Sequence, residues 1–328
     1  MKAHGLYLGK FAPFHAGHEY MIKEALKTVE NLTVLIYEAP GLTDVPLARR
    51  AQWIREFNPK IEVIECDDGP TDVTYEMAGM QEHEKFVIEK LGVREITHFF
   101  SSEPYGEHMS DALGARDVRI DQGRSSVPIS STKIRDDLFA HRRFLSPRVY
   151  FDHLTKVVLL GAPSTGKSTL TEKLAEHFTT TFMPEYGREY WELNNIQRRL
   201  SSEQLLEIAT THLEREVAMA HEAKQYFFID TNAITTKIFS DYYHGDSLPH
   251  LRELAKNTKD RYELVILCGD DIAYDDTEDR SGEANRTEFQ KATIAELNMM
   301  GIEYHEVTGS VQERISEVSR ILETMTKG

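Results

Sequence analysis

The feature that most restricts the fold of this chain is the glycine-rich segment at 161–169, Gly-Ala-Pro-Ser-Thr-Gly-Lys-Ser-Thr. It fits the phosphate-loop pattern G-x-x-x-x-G-K-[ST]. A strand-like apolar run at 156–160 precedes it and a helical pattern at 170–178 follows it, as the motif requires. In such a loop, backbone N–H groups surround a polyphosphate, Lys167 reaches the outer phosphates and the Ser168 hydroxyl ligates Mg²⁺. The alternative is a glycine-rich turn without a ligand. The predicted ATP-binding residues are Gly161, Ala162, Pro163, Ser164, Thr165, Gly166, Lys167, Ser168 and Thr169.

Length and charge limit the classes of protein to which the chain can belong. Its 328 residues allow two domains with sizeable cores. A net charge of −16 disfavours binding to long nucleic acid, which needs an extended basic face. Cys66 and Cys268 lie in apolar runs and are expected to be buried thiols, which suits a reducing cytoplasm. No apolar run reaches membrane-spanning length. We expect a cytoplasmic protein that binds neither DNA nor membranes.

The first half of the chain alternates between strand-like and helical patterns. Apolar runs at 5–9, 32–37, 61–66 and 96–101 are separated by segments with helical periodicity, among them 47–54 and 77–91. This alternation predicts a parallel sheet with helices on both faces. Ligands of such sheets bind at the carboxyl ends of the strands. The segment that follows the first strand is therefore a candidate binding loop.

Two segments of this half carry residues suited to phosphate. The first, at 9–18, contains His15-x-Gly17-His18 before a helix, where two imidazoles and backbone N–H groups can face one ligand. Alone it is better explained as two unrelated surface histidines. The second, at 129–135, begins another helix with hydroxyl groups, Lys133 and Arg135, and alone it is a capped helix.

Together these segments resemble the nucleotidylyltransferase superfamily, whose signatures are G-x-F-x-P-x-H-x-G-H and I-S-S-T-x-x-R. The resemblance implies that His15 and His18 bind ATP phosphates, and that His18 stabilises charge on the α-phosphate. It also implies that Thr132 and Arg135 hold the pyrophosphate that leaves. An attacking phosphate is already anionic and needs no protein base. The predicted ATP-binding residues of this half are Gly9, Lys10, Phe11, His15, His18, Ser131, Thr132 and Arg135.

The second half carries two carboxylates at the ends of strand-like runs. Asp230 closes the run at 226–230 and suits the role of holding Mg²⁺ with Ser168, directly or through water. Glu185 closes the run at 181–185 and can deprotonate an alcohol nucleophile. An ion pair between Glu185 and Arg188 is an equally good interpretation. The predicted catalytic residues of the whole chain are His18, Lys167, Glu185 and Asp230.

The remaining candidates are side chains that contact ATP or the substrate. Arg280 and Arg286 lie in a polar stretch at 270–287, where a mobile segment can bring one of them to the transferred phosphoryl group. For either arginine alone, a solvated surface position is the simpler interpretation. For Tyr186, Tyr190 and Trp191, core packing is at least as good an explanation as stacking on a base. The predicted substrate-binding residues are Trp53, Tyr186, Arg188 and Asn232.

The order of the two halves resembles the NadR family of bifunctional nicotinamide-nucleotide adenylyltransferase and ribosylnicotinamide kinase proteins. Further matching segments lie at 101–106, 185–189 and 229–232. We predict an α/β chain with a Rossmann-like nucleotidylyltransferase domain at 1–145 and a P-loop kinase domain at 155–328, each with a mainly parallel sheet. The helix-turn-helix domain of some family members has no room here, so DNA binding is not carried over. The stretch at 275–280 only loosely resembles the family's lid.

The resemblance implies two ATP- and Mg²⁺-dependent steps of NAD salvage. The C-terminal domain phosphorylates ribosylnicotinamide to nicotinamide mononucleotide (NMN), and the N-terminal domain joins NMN to AMP, giving NAD and pyrophosphate. Trp53 and Trp191 are candidates to stack on nicotinamide. Two alternatives are a phosphopantetheine adenylyltransferase fused to a dephospho-coenzyme A kinase, and a nucleotide sensor without turnover. A homo-oligomer is possible.

Overall fold

The computed structural model describes residues 2–69, 77–102, 106–194, 200–273 and 283–325. The chain divides into two units, Met1–His153 and Leu154–Gly328. The segment between the two predicted domains contains a short helix, Pro147–Phe151, whose last three residues are buried. Beside it, Arg49 donates from Nε to Asp152 at 2.7 Å, so this segment is fixed to the N-terminal unit.

The N-terminal unit alternates strands with helices, as predicted, and ends in several short helices. Its strands are β1 (His4–Gly9), β2 (Asn31–Tyr37), β3 (Glu62–Cys66), β4 (His98–Ser101) and β5 (Arg116–Arg119). Its helices are α1 (Ala16–Thr28), α2 (Leu47–Phe57), α3 (Met77–Leu91), α4 (Gly106–Leu113), α5 (Ser131–Asp136), α6 (Leu138–His141) and α7 (Pro147–Phe151), with a 3-10 turn at Arg142–Phe144.

These strands form one parallel sheet in the order β3-β2-β1-β4-β5. Successive side chains of a strand point to opposite faces. In β2 every residue after Asn31 is buried, so helices or loops cover both faces of the sheet. One face packs Leu6, Leu35 and Phe99 against Val87 of α3 and Met109 of α4. β1 lies at the centre, where the strand order reverses, which is where parallel sheets bind ligands.

The C-terminal unit repeats this plan around β6. Its strands are β6 (Thr155–Leu160), β7 (Phe182–Met183), β8 (Tyr226–Asp230), β9 (Leu264–Cys268) and β10 (His305–Val307). Its helices are α8 (Lys167–His177), α9 (Tyr186–Asn194), α10 (Ser202–Met219), α11 (Ala233–His244), α12 (Pro249–Lys256), α13 (Glu283–Met300) and α14 (Val311–Met325), with a 3-10 turn at Ala220–Glu222.

This second sheet is also parallel, in the order β10-β9-β6-β8-β7. Its core packs β6 and β9 against apolar residues of α8 and α14, including Leu170, Leu174, Val318 and Leu322. β7 is shorter than the predicted strand at 181–185. Glu185 therefore lies in the turn before α9 rather than at the end of the strand.

Both cysteines are buried and reduced, as predicted. Burial raises the pKa of the Cys66 thiol to about 11 and that of Cys268 to about 12, so neither is a ready nucleophile. No helix within the described ranges combines the length and the apolar character needed to cross a bilayer.

Candidate active sites

The N-terminal unit has a cavity of about 480 Å³ at the carboxyl end of β1. The loop between β1 and α1 forms one wall, and the start of α5 forms another. The predicted ATP-binding residues all line this cavity: Gly9, Lys10, Phe11, His15, His18, Ser131, Thr132 and Arg135. The fold thus brings together two segments that are more than a hundred positions apart in sequence.

The two histidines of this cavity are held in one stacked pair. Their ring centroids lie 3.8 Å apart, with 24° between the ring planes. The His15 Nδ1 accepts the Gly17 N–H at 3.0 Å, and the His18 Nδ1 accepts the His15 N–H at 3.3 Å. A Cβ at Gly17 would lie 2.9 Å from the His15 ring, so a glycine is needed for this approach. Because each Nδ1 is an acceptor, each neutral ring carries its proton on Nε2.

Both rings are neutral at pH 7. Burial lowers the pKa of His15 to about 4, and the nearby charge of Arg124 acts in the same direction. Burial also lowers the pKa of His18 well below its ordinary value, with His15 and Arg124 adding to the effect. The pair therefore offers hydrogen-bond donors rather than fixed charges to a ligand.

The start of α5 is attached to the histidine loop through side-chain hydrogen bonds. Arg135 donates from Nη1 to the Ala12 carbonyl at 2.6 Å and from Nη2 to the Thr132 hydroxyl at 3.4 Å. Ser131 donates to the Pro13 carbonyl at 3.4 Å. These contacts fix the hydroxyl groups of one motif relative to the imidazoles of the other.

Arg124 is a cationic residue of this cavity that the sequence analysis missed. Its loop is built on Asp121, whose carboxylate accepts the backbone N–H groups of Ser125, Ser126 and Val127 at 2.8–3.2 Å. Arg124 is exposed, lines the cavity and is close enough to lower the pKa of both histidines. A basic residue in a polar turn just before the second motif was the available signal.

A buried arginine, Arg50, also escaped the sequence analysis. Its side chain is fully buried and donates to the carbonyls of Lys10, Tyr37 at 2.9 Å and Val45 at 3.1 Å, and to the Glu38 carboxylate at 3.0 Å. It therefore connects the start of the histidine loop to the end of β2. Helical periodicity placed it near the core side of α2, but its partners are distant in sequence.

The prediction that Trp53 contacts the substrate is wrong. Trp53 is only 2% exposed and does not line the cavity. Its Nε1 donates to Asp152 at 2.8 Å, and its ring stacks on His153 with centroids 5.4 Å apart. The indole instead fixes the end of the N-terminal unit against α2.

The C-terminal unit has its own cavity, of about 370 Å³, at the carboxyl end of β6. The predicted residues that line it are Gly161, Pro163, Ser164, Gly166, Lys167, Ser168, Thr169, Glu185, Arg188 and Asn232. Ala162 and Thr165 of the loop do not line it. Ala162 N–H donates to Gln290 Oε1 at 2.8 Å, and Thr165 Oγ1 donates to the Ala162 carbonyl at 2.8 Å. These two residues shape the loop from its inner side.

The backbone of the phosphate loop has the conformation that glycine allows. Gly161 has φ 138°, and a Cβ there would lie 2.8 Å from the Cys268 carbonyl. Gly166, at the start of α8, has φ 81°. Lys167 Nζ donates to the Ala162 carbonyl at 2.8 Å, so its ammonium lies inside the curve of the loop. This is the position from which it can reach bound phosphates.

Two buried arginines hold the outer side of this loop. Arg286 donates to the carbonyls of Ser164 at 3.1 Å and Ile272 at 2.8 Å. Arg314 donates to the Thr165 carbonyl at 2.7 Å and to Asp271 at 2.6 Å. Arg286 is 6% exposed, so the expectation of a solvated surface arginine is wrong for it. Arg280 lies outside the described residues, as do positions 103–105 of the matching segment at 101–106.

Asp230 and Ser168, the two predicted Mg²⁺ ligands, lie at the end of β8 and in the first turn of α8. Asp230 is 1% exposed, lies near Ser168, and has one carboxylate oxygen, Oδ1, without a partner among the described residues. Burial, followed by the charge of Glu185, raises the pKa of Asp230 to about 6, against the opposing charge of Lys167. A divalent cation would satisfy the unpartnered oxygen and restore the ionised form. The described residues contain no cluster of three or more His, Cys, Asp or Glu side chains that could hold a metal ion.

Glu185 and Arg188 both lie at the cavity wall. Their closest charged atoms, Oε2 and Nη2, are 3.9 Å apart. That separation is at the outer limit of an ion pair, so the contact does not fully engage the Glu185 carboxylate. The charge of Glu185 also raises the pKa of Asp230.

Among the aromatic candidates, Trp191 lines the cavity and Tyr186 does not. Tyr186 packs edge to face on Tyr190 with centroids 5.9 Å apart, and the Arg215 guanidinium lies 3.9 Å from its ring centre. The structure thus gives Tyr186 a packing role beside the cavity, between the lining residues Glu185 and Gly187. The cavity is also lined by Phe239, Tyr243 and Phe289.

The comparisons with known proteins match this two-part architecture. Residues 6–137 match the cytidylyltransferase-like family, and residues 156–314 match an AAA domain family. The trifunctional NAD biosynthesis/regulator protein NadR of Escherichia coli K12 is 27% identical over 92% of this chain and 78% of its own length. The NadR protein of Salmonella typhimurium LT2 is 26% identical over 92% of this chain and 77% of its own.

A solved structure of NadR in complex with NAD and AMP-PNP has the same fold. It superposes with a TM-score of 0.57 at 21% identity, over 98% of this chain and 96% of its own. A NadR structure in complex with NR gives the same score and identity, over 94% of this chain and 91% of its own. The chain is therefore similar to the NadR proteins over most of its length, with a cytidylyltransferase-like match in its first half and an AAA domain match in its second.

Proposed function

We propose that this chain carries out two consecutive steps of NAD biosynthesis. The C-terminal domain phosphorylates ribosylnicotinamide with ATP, and the N-terminal domain joins the resulting NMN to AMP from a second ATP. The observation that carries the proposal is the pairing of two different phosphate sites on one NadR-like chain. The C-terminal site has a carboxylate that can accept the proton of an alcohol nucleophile, whereas the N-terminal site presents hydrogen-bond donors alone.

The kinase step follows from the residues of the second cavity. Lys167 and the loop N–H groups bind the β- and γ-phosphates and balance the charge that forms during transfer. The alcohol of the riboside is neutral and loses a proton as it attacks, so an acceptor must stand near it. Glu185 at the cavity wall fits that role. Trp191 supplies an aromatic surface for the base.

The proposed kinase step also uses Mg²⁺. Ser168 and Asp230 would hold it, because the two side chains lie near each other and Oδ1 of Asp230 has no partner among the described residues. When bound, the ion neutralises phosphate charge. The protein's part is to fix the two oxygen ligands next to the ammonium of Lys167.

The adenylyl step needs no protein base. The phosphate of NMN is anionic and attacks the α-phosphate of ATP directly, while pyrophosphate leaves. His15 and His18 donate from Nε2 to phosphate oxygens, and His18 stabilises the charge on the α-phosphate. Thr132, Arg135 and the exposed Arg124 bind the leaving pyrophosphate.

A product profile tests the proposal. The protein is incubated with ATP, Mg²⁺ and one acceptor at a time: ribosylnicotinamide, NMN, phosphopantetheine or dephospho-coenzyme A. Mass analysis should show NMN and then NAD from the first acceptor, and NAD from the second. Phosphorylation of dephospho-coenzyme A without phosphorylation of ribosylnicotinamide would overturn the assignment. Binding without turnover of any acceptor would identify a nucleotide sensor instead.

A further inference from the structure

Two buried arginines contact the backbone of the phosphate loop in the C-terminal unit, and the steps above do not use them. Arg286 of α13 is 6% exposed, and Arg314 of α14 is 2% exposed. Arg286 donates from Nη2 to the Ser164 carbonyl at 3.1 Å. Arg314 donates from Nη1 to the Thr165 carbonyl at 2.7 Å. Two consecutive carbonyls of the loop therefore point to guanidinium groups on its outer side.

These contacts fix the direction of the N–H groups in the loop. A trans peptide unit is planar, and its N–H points away from its C=O. The N–H of Thr165 shares a peptide unit with the Ser164 carbonyl, and the N–H of Gly166 shares one with the Thr165 carbonyl. Both N–H groups therefore point away from the arginines, to the inner side of the loop. Ser164 has φ 59°, a strained value for a residue other than glycine, so its bond to Arg286 also stabilises the turn.

The same two arginines attach the loop to the segment that follows β9. Arg286 also donates from Nη1 to the Ile272 carbonyl at 2.8 Å. Arg314 also donates from Nη2 to the Asp271 carboxylate at 2.6 Å and to the Gly269 carbonyl at 3.3 Å. The phosphate loop and the segment at 269–272 are therefore held to each other through two buried side chains.

The two guanidinium groups differ in how their positive charge is balanced. Arg314 forms an ion pair with the Asp271 carboxylate. Among the described residues Arg286 donates only to two carbonyls, and its buried Nε has no partner there. A buried cation that lacks a paired anion is unfavourable. The phosphates of a nucleotide bound on the inner side of the loop would balance this charge.

We propose that Arg286, together with Arg314, is a positioning residue for the phosphates of ATP in the kinase domain. The arginines hold the N–H groups of Thr165 and Gly166 towards the phosphates, and Arg286 adds a positive charge behind them. This inference rests on the proposed kinase function and deepens it. Because Arg286 acts through the loop backbone, its effect should fall on phosphate binding and leave the attack of the alcohol nearly unchanged.

The first test is Arg286→Met, which keeps a long side chain and removes the charge and both donors. KM for ATP in the kinase step should rise about tenfold, with kcat within about threefold and KM for ribosylnicotinamide within about twofold. Arg286→Lys keeps the charge but not the two-donor geometry, so it should raise KM for ATP about threefold, and it decides the question if Arg286→Met misfolds. Arg320→Met, an exposed arginine of α14, is the matched control. An unchanged KM for ATP in the folded variant, or an equal rise of both KM values, would overturn the inference.

The second test compares ADP and AMP as inhibitors that compete with ATP in the kinase step. In Arg286→Met the inhibition constant of ADP should rise about tenfold, whereas that of AMP, which lacks the β-phosphate, should stay within about twofold. Equal weakening of both inhibitors would mean that the whole nucleotide site is distorted, and would contradict the inference. If the wild type does not phosphorylate ribosylnicotinamide, the proposed substrate is wrong. The ADP binding that is lost in Lys167→Ala then identifies the C-terminal site, and its dependence on Arg286 still decides the inference.

Discussion

β1 and β6 each lie in the middle of a five-stranded parallel sheet, and each leads into a loop that faces a cavity. The two loops differ in the charge of the side chains that they present to the cavity. The N-terminal loop presents a stacked pair of neutral imidazoles. The C-terminal loop places a lysine near a buried carboxylate. This difference matches the proposed nucleophile of each site. The phosphate that attacks in the N-terminal unit only needs its charge balanced, whereas the alcohol that attacks in the C-terminal unit must also lose a proton.

The sharpest way to separate the two sites is Lys167→Ala. Loss of the ammonium leaves the charge on the transferred phosphoryl group unbalanced, so kcat of the kinase step should fall about 10³-fold. Formation of NAD from NMN should stay within about twofold of wild type. Lys173→Ala, on the exposed side of α8, is the matched control. Steady-state rates of each step, measured separately, check this.

The reverse variant, His18→Ala, should remove the donor to the α-phosphate and lower adenylyl transfer about 10²- to 10³-fold. Phosphorylation of ribosylnicotinamide should not change. His108→Ala, an exposed histidine of α4, serves as control. A comparable fall in both activities, in a variant with a wild-type melting temperature, would argue against independent sites.

Acid pH should also distinguish the two sites, with a smaller loss of activity than the substitutions above. Asp230, with its pKa raised to about 6, protonates as pH falls through that value, and a protonated carboxyl does not ligate Mg²⁺. At pH 5 about a tenth remains ionised, so kinase kcat/KM should fall about tenfold from its value at pH 7. His15, with a pKa of about 4, stays mostly neutral there, and adenylyl transfer should change less than about twofold. A higher Mg²⁺ concentration should lower the pH at which kinase kcat/KM falls. If that pH does not depend on Mg²⁺, a group other than Asp230 causes the fall.

The smallest effect is expected from Arg124→Ala. An exposed guanidinium at the cavity wall should contribute about a tenfold change in KM for ATP of the adenylyl step, with Arg124→Lys retaining part of it. Arg116→Ala, an exposed arginine of β5, should have no effect. An identical KM for wild type and Arg124→Ala would remove Arg124 from the site.

The sequence predicted those parts of the sites that are local in the chain. The phosphate loop and the histidine loop each combine a strand, a turn and a helix start within about twenty residues, so their patterns specify their own geometry. Arg50 and Arg314 could not be found in this way, because their partners lie on other elements. Aromatic and basic residues were the least predictable. Trp53 and Tyr186 pack on neighbouring side chains, and Arg286 donates to backbone carbonyls. Aromatic and arginine side chains can pack within a protein as well as bind a ligand, so their residue type does not decide between the two roles.

The proposed function requires that two separate sites on this chain act in sequence. The direct measurement supplies ribosylnicotinamide, ATP and Mg²⁺ to Lys167→Ala, to His18→Ala and to an equal mixture of the two, and follows NMN and NAD by mass. Lys167→Ala should yield neither product, His18→Ala should accumulate NMN, and the mixture should restore NAD. If the mixture yields no NAD although each variant keeps its other activity, or if either variant loses both activities while folded, the claim of two independent, consecutive sites is contradicted.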